Sequence, residues 1–344
     1  VLFEPWTVET KTGGFYKVYT PMWKMVRDRD VPRALPAPSS LPGPENWPRS
    51  ETIDAWHMGS RMRRGSAIVR PFVILGERAA QERLDWFMEH GVAGYDTNRD
   101  LPWKDGTSRL SQNLALGEIS PRQCWHAGQE AMRQGKAGAE TFLKEIVWRE
   151  FAYHLAFHTP RITSGNWKED WDAFPWNEDE TRADVVAWTQ GRTGLPFVDA
   201  AMREMYVTGT MHNRGRMIVA SYLTKHLLTH WKVGLKWFET CLIDWDPASN
   251  AMGWQWASGS GPDATPYFRV FNPETQLDKF DKARAYVSTW IAEGYQNPSE
   301  TALSYFAAVP PAWGLSPSDA YPEPMVSADA GRKVALAAYE ARSF

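Results

Sequence analysis

The chain has 344 residues, with 38 Lys+Arg against 41 Asp+Glu and a net charge of −3. That balance excludes a uniformly basic nucleic-acid coat but not a local basic groove, because net charge does not report its distribution. With 43% hydrophobic and 23% charged residues a wholly disordered chain is excluded, and no apolar run reaches the roughly 18 residues a membrane span needs. Two cysteines, Cys124 and Cys241, exclude a disulfide scaffold and a four-cysteine zinc site and fit a reducing cytosol. The length predicts two domains or one large one. No secretory signal is visible, and the start at Val1 rather than Met predicts that the natural start lies elsewhere. The 19 tryptophans predict either a Trp-rich core or aromatic chemistry: stacking, a cofactor pocket or electron hopping.

Residues 1–70 predict irregular structure. Segment 31–50 holds six prolines, which suit neither helix interiors nor central strands, and reads as an extended surface connector. Such a stretch near the start predicts a preceding domain. From Glu77 onward helix signals dominate. Segment 77–90 places Ala80, Leu84, Phe87 and Met88 on one face and stops at Gly91. Ser120-Pro121 reads as an N-cap followed by an N1 proline, opening a helix to about Gln134. Further helices are predicted over about 139–157, 181–190, 197–208, 212–232, 234–243 and 278–293. No run of alternating β-branched residues predicts a sheet, and no internal repeat is visible.

His154/His158 and His226/His230 have the i,i+4 spacing that can ligate a metal on a helix, but neither pair carries the HExxH glutamate or a further ligand at a useful offset, so ordinary helix histidines are expected. Gly259-Ser260-Gly261 is a lone Gly-rich turn. Three segments carry more. Thr107-Ser108-Arg109-Leu110-Ser111 follows Gly106 and precedes a helical stretch; hydroxyls, free N–H groups and Arg109 there suit a phosphate, or simply cap a helix. Glu145, Trp148 and Arg149 share one helical face and suit a polar pocket, or a Glu–Arg surface pair beside a core Trp. Asn213, Arg216 and Met217 repeat that geometry, followed by Asp244, Asp246, Asn250, Trp254 and Trp256. Neutral amides, an Arg–Asp pair and several Trp suit a planar heteroaromatic cofactor, while ion pairs and core aromatics remain open for any one of them.

In order along the chain, YKVYTP (16–21), TSRLS (107–111), SPRQCW (120–125), EIVWREF (145–151), GRTGLPFVDAAMRE (191–204), MHNRGRM (211–217), LIDWD (242–246), NAMGWQWASGSGPDATPYFRVFNP (250–273) and KFD (279–281) resemble the photolyase/cryptochrome family, in its branch acting on cyclobutane pyrimidine dimers. The resemblance implies a mostly α fold: an all-helical FAD-binding domain, with the N-terminal α/β antenna domain largely missing. Residues 1–76 would be the end of the antenna domain plus the Pro-rich connector, and 77–344 the FAD- and DNA-binding catalytic domain.

It also implies roles by position. Tyr95, Thr107, Ser108, Arg109, Leu110, Ser111 and Arg149 would hold the FAD diphosphate and ribityl chain. Asn213, Arg216, Asp244 and Asp246 would surround the isoalloxazine, with Arg216 and Asp244 ion-paired and Asn250 facing N5. Glu145, Asn213 and Asn250 would be catalytic, Glu145 as a proton donor with a raised pKa in a buried pocket. Trp148, Met217 and Trp256 would meet the lesion, with Arg99, Arg214 and Arg269 near DNA phosphates. Trp254, Trp231 and Trp176 would carry electrons to the surface, Trp176 two residues off the usual spacing.

The implied partner is DNA containing cyclobutane pyrimidine dimers, acted on by a monomer in the cytoplasm, at the nucleoid during repair, with no membrane role. The implied antenna is methenyltetrahydrofolate, with a deazaflavin as the alternative. Asn250 rather than Asp at the N5 position, together with Glu145 and Trp148, favours repair over a cryptochrome-type sensor. Asn213 and Met217 stand where a (6-4) photolyase needs histidines. The chain departs from many relatives at Thr210, where they have Trp.

Overall fold

A computed structural model of the chain describes residues 1–58 and 66–344. Its α-helices run in the order α1 Tyr19–Val26, α2 Ser66–Val69, α3 Gly76–Trp86, α4 Tyr95–Asn98, α5 Ser111–Leu116, α6 Pro121–Arg133, α7 Ala139–His158 and α8 Ala183–Thr189. They continue as α9 Pro196–Thr208, α10 Asn213–Ser221, α11 Trp231–Cys241, α12 Pro247–Ser258, α13 Pro273–Phe280, α14 Ala285–Trp290, α15 Glu300–Ala308 and α16 Ala328–Glu340. Among the described residues no sheet forms; an isolated parallel bridge joins Asn177 and Thr229.

Local chemistry sets several boundaries. Ser120 and Gln123 close a reciprocal capping box at the start of α6, Ser120 Oγ accepting from Gln123 N and Gln123 Oε1 from Ser120 N. Asp246 caps α12 ahead of Pro247, and α1, α15 and α16 form beyond the helices expected from periodicity. The helix predicted over 212–232 is two. α10 runs into a π-helical turn at Tyr222–His226, Leu228 then takes a left-handed φ of +43°, and His230 caps α11. His226 and His230 therefore never share a helix face. The 278–293 prediction likewise divides into α13 and α14 at Arg284, with φ +59°.

Two hydrophobic cores organise the helices. One gathers α3, α6 and α7 with the N-terminal segment, burying Leu2, Phe3, Tyr19, Met22, Trp23 and Val26 against Trp125, Phe142, Val147 and Phe151. The other gathers the helices from α8 to α16 around Trp188, Phe197, Met205, Trp231, Phe238 and Trp254. A boundary at residue 76 therefore does not follow the packing: residues 1–31 belong to the first core, and the exposed Pro-rich segment 32–58 leads away from it. α7 is apolar on most of its circumference because it packs against α1, α6 and α12.

His226 is 3% exposed in the π-helical turn, and burial pushes its imidazole from 6.5 down to about 4. Its neutral form is the folded form, so its contribution is full above pH 6.5 and is lost as the pH falls towards 4. We predict that urea unfolding shows a stability loss across that window, and that His226→Gln shrinks it by an amount on the order of 1–3 kcal/mol.

Candidate functional site

A cavity of about 1090 Å3 opens at the seam between the two cores. From the first core, α7 presents Glu145, Trp148 and Arg149, α4 presents Tyr95, and Arg99 follows it. From the second, α9 contributes Glu204, α10 contributes Asn213, Arg214, Arg216 and Met217, and α12 contributes Asn250, Trp254 and Trp256. Asp244 and Asp246 line it from the turn between α11 and α12. All of Thr107–Ser111 lies on the wall. That loop is held from behind by Arg83, which donates to the carbonyls of Thr107 at 2.7 Å and Ser108 at 2.9 Å and pairs with Asp105. Arg109 takes a left-handed φ of +54°, its guanidinium 3.0 Å from Asp105. α5 begins at Ser111 with no side-chain cap, so the helix-cap reading of this run does not hold.

The wall charges are largely paired. Arg99 Nη1 donates to Glu145 Oε1 at 2.6 Å, Arg214 donates to Asp100 at 2.6 and 3.0 Å, and Arg216 Nη2 donates to Asp244 Oδ2 at 2.7 Å. Asp246 accepts from Ser249 N as the α12 cap and from the Tyr153 hydroxyl of α7. Burial, then the hydrogen bond to Asp246 and its charge, pushes that phenol up to about 12, so it stays a neutral donor. Glu204 accepts from Tyr286 OH at 2.5 Å and His212 N at 3.2 Å, and burial raises its carboxyl. Burial, then Arg214, pushes His212 down to about 4. Its Nδ1 accepts from Arg214 N at 3.1 Å, which leaves the proton on Nε2.

The cavity thus gathers nearly all of the residues the sequence singled out, with corrections. Glu145 does not pair with Arg149: it pairs with Arg99, and Arg149 turns to Glu150 at 3.3 Å. The buried pocket expected around Glu145 is not what the fold builds: its side chain is 32% exposed on the cavity wall, and Oε1 accepts from Arg99. Arg99 and Arg214 are not free cations on an open face but ion-paired wall residues, 19% and 24% exposed. Arg269 is exposed and lies outside the cavity, its carbonyl accepting from the buried Lys225 at 3.0 Å.

Among the tryptophans, Trp254 lines the cavity, and its ring lies against Gly234, one turn into the helix that Trp231 opens. Trp231 and Trp176 both contact the His230 ring, at 5.4 and 5.3 Å. Trp176 is not a surface residue: it is 9% exposed and stacks at 5.6 Å on Trp171, itself 6.4 Å from Tyr339 of α16. Glu204, His212, Tyr153 and Tyr286 were not singled out. Glu204 closes the GRTGLPFVDAAMRE segment and His212 lies within MHNRGRM, but only the fold shows that they face the same space.

The family model described as the FAD binding domain of DNA photolyase matches residues 142–341. The chain is 45% identical over 347 residues to the deoxyribodipyrimidine photo-lyase of Agrobacterium fabrum, covering 99% of this chain and 72% of that one. With the Escherichia coli deoxyribodipyrimidine photo-lyase it is 38% identical over 359 residues, 99% and 71% of the two. A bacterial class III photolyase structure from Agrobacterium tumefaciens superposes with a TM-score of 0.87 at 44% identity, over 99% of this chain and 71% of that one. The chain belongs to the DNA photolyase family.

The photolyase cavity suits FAD. Its wall sets the Arg216–Asp244 ion pair and the side-chain amides of Asn213 and Asn250 beside the hydroxyls and guanidinium of the Thr107–Ser111 run. That set of donors and acceptors matches a polar-edged heterocycle carrying a diphosphate.

The Trp254 ring needs Gly234: a Cβ there would lie 2.0 Å from Cη2. We predict that Gly234→Ala lowers stability in urea unfolding by about 1–3 kcal/mol, while Gly253→Ala, with nothing within 4 Å of its Cβ, leaves it unchanged or slightly raised.

Proposed function

We propose that this chain carries the FAD- and DNA-binding catalytic part of an enzyme that uses light to split cyclobutane pyrimidine dimers in DNA, with residues 77–344 and the N-terminal segment packed against them as its catalytic unit. One observation carries the proposal: a single cavity joins a polar set suited to a flavin with the carboxylate and exposed-face aromatics of a lesion pocket. Bound and reduced, FAD supplies on absorbing light the electron that opens the cyclobutane ring and takes it back afterwards. The protein binds, orients and tunes. Tyr95, Thr107–Ser111 and Arg149 hold the diphosphate and ribityl chain; Asn213, Arg216, Asp244, Asp246 and Asn250 surround the ring system. Trp148, Met217 and Trp256 receive the dimer, flipped from the duplex, by stacking and apolar contact. Glu145, oriented by Arg99, accepts a hydrogen bond at the pyrimidine edge. Trp254, Trp231 and Trp176 conduct electrons towards the flavin when it needs reduction.

A cryptochrome-type photosensor is the alternative, and a cryptochrome from Synechocystis shares the fold with a TM-score of 0.72 at 28% identity. Repair is favoured by Glu145, Trp148 and Asn250 on the cavity wall, the neutral amide of Asn250 donating to Asp246 O at 3.0 Å. Among the described residues no helix is long and apolar enough to cross a membrane. We place the enzyme in the cytoplasm as a monomer associated with the nucleoid during repair, served by a methenyltetrahydrofolate antenna, with a deazaflavin as the alternative chromophore.

The deciding experiment is blue-light repair of thymine-dimer DNA by the reduced holoenzyme; light absorption without dimer splitting would leave the sensor reading. Glu145→Gln should keep FAD and lower the repair yield by up to about tenfold, the worth of one hydrogen bond; loss of FAD at unchanged yield would move Glu145 to the cofactor. For DNA binding, Arg269→Ala should flatten the plot of log K against log salt by about 0.9 and weaken damaged and undamaged duplex alike. Trp256→Ala should keep the slope and lose lesion preference, read by the same titrations.

A further inference from the structure

Trp148 has two ring faces. One lies on Tyr19, with centroids 3.7 Å apart and planes within 6°; the residue also lines the cavity, where Tyr19 does not appear. Tyr19 is 7% exposed and sits behind the wall. Its hydroxyl donates to the Lys144 carbonyl at 2.7 Å, on α7 one turn before Trp148, and its ring meets Phe151 edge-on at 6.0 Å. The phenol is thus bonded to the helix whose indole it covers, which fixes the stack in depth and rotation.

The same residue reaches the opposite wall. Val18, at the cap position of α1, offers no side-chain acceptor, and the first helical N–H, that of Tyr19, donates instead to Asp263 Oδ2 at 3.0 Å. Asp263 lies in the turn after α12 and holds a left-handed φ of +49°. Two residues on, Thr265 N donates to the Trp256 carbonyl at 3.2 Å. Tyr19 therefore contacts the Trp148 ring directly and is two hydrogen bonds and a short turn from the Trp256 backbone.

We propose that Tyr19 is a positioning residue for lesion recognition: it backs the Trp148 ring so that the cavity-facing side is held ready to stack, and through Asp263 it sets the spacing between Trp148 and Trp256. This rests on the reading that Trp148 stacks on the flipped dimer. A half-buried indole on a helix has more than one staggered χ1 available; the Tyr19 ring selects one. Stacking on a preset platform costs less ordering than stacking on a mobile one.

The test measures dark binding by the holoenzyme to a thymine-dimer duplex and to the same duplex undamaged, and takes the ratio as lesion selectivity. Tyr19→Leu, which keeps apolar volume and removes the stack, should lower selectivity about fivefold to tenfold, within the range of one lost stacking contact, with FAD content and undamaged-duplex affinity unchanged. Tyr19→Phe keeps the ring and should retain most of the selectivity. Trp148→Ala should lose at least as much as Tyr19→Leu, and the double variant no more than Trp148→Ala alone. Full selectivity in Tyr19→Leu beside its loss in Trp148→Ala makes Tyr19 a core filler and overturns the proposal, as do additive losses in the double variant. Retained selectivity in Trp148→Ala overturns the stacking reading itself. Should Tyr19→Leu not fold or not hold FAD, Asp263→Ala decides: selectivity about threefold lower supports the coupling, and unchanged selectivity overturns it.

Discussion

The position of α7 constrains nearly everything else at the site. The helix is apolar on most of its circumference, so it must be enclosed, and it is: by α6 and the N-terminal segment on one side and by α12 on the other. Its polar residues then have few directions open to them. Glu150, buried, accepts from the backbone N–H groups of Leu2 and Phe3 at 2.5 and 3.3 Å and so anchors the first residues to the helix. Tyr153 reaches across the seam to Asp246 and ties α7 to the cap of α12. Glu145, Trp148 and Arg149 are left on the cavity side. Helical spacing puts these three together; enclosure of the other faces is what points them at a common space.

A cavity between two independent cores has a further consequence. Neither wall has to give up its own packing to form it, so the polar groups can be placed in advance of any ligand. Arg216 is held by Asp244 and by the Met211 carbonyl at 2.9 Å, His212 by Arg214 N, and Glu204 by Tyr286. Preplaced dipoles of this kind need no reorganisation when a ligand arrives.

The sequence made the helical class, the Pro-rich connector and most helices from α6 to α9 legible, because capping residues and 3.6-residue periodicity are local. It lost the break at 227–230, where the pattern runs on in apolar residues and only the backbone at Leu228 betrays the turn. The residues of the site were legible through ordered motifs, since Glu145, Trp148, Asn213 and Arg216 each repeat a helical spacing. Their partners were not. That Arg99 takes Glu145, that Asp100 takes Arg214 and that Trp176 is covered by Trp171 are contacts between segments far apart in sequence or set by tertiary packing. Tyr19 shows the limit most clearly: the motif containing it was quoted, but its stack on Trp148 spans more than a hundred residues.

The pairing of the wall arginines changes how charge and recognition divide. Arg99 and Arg214 lie where a phosphate-binding role was expected, yet each is neutralised within 2.6 Å by a carboxylate. A guanidinium so paired orients its partner more than it attracts a polyanion, because the pair's field falls off faster than that of a lone charge. Under the proposed repair function, the lesion end of the cavity would be read by shape: aromatic faces at Trp148 and Trp256, a thioether at Met217 and a single oriented carboxylate at Glu145. Sequence-independent grip on the duplex would then fall to cations outside the cavity, such as the exposed Arg269 on the chain that leaves α12. Backbone contacts position a nucleic acid and contacts within the pocket discriminate. The overall charge of −3 is compatible with both, since a few unpaired cations on one face steer association whatever the sum over the rest of the surface.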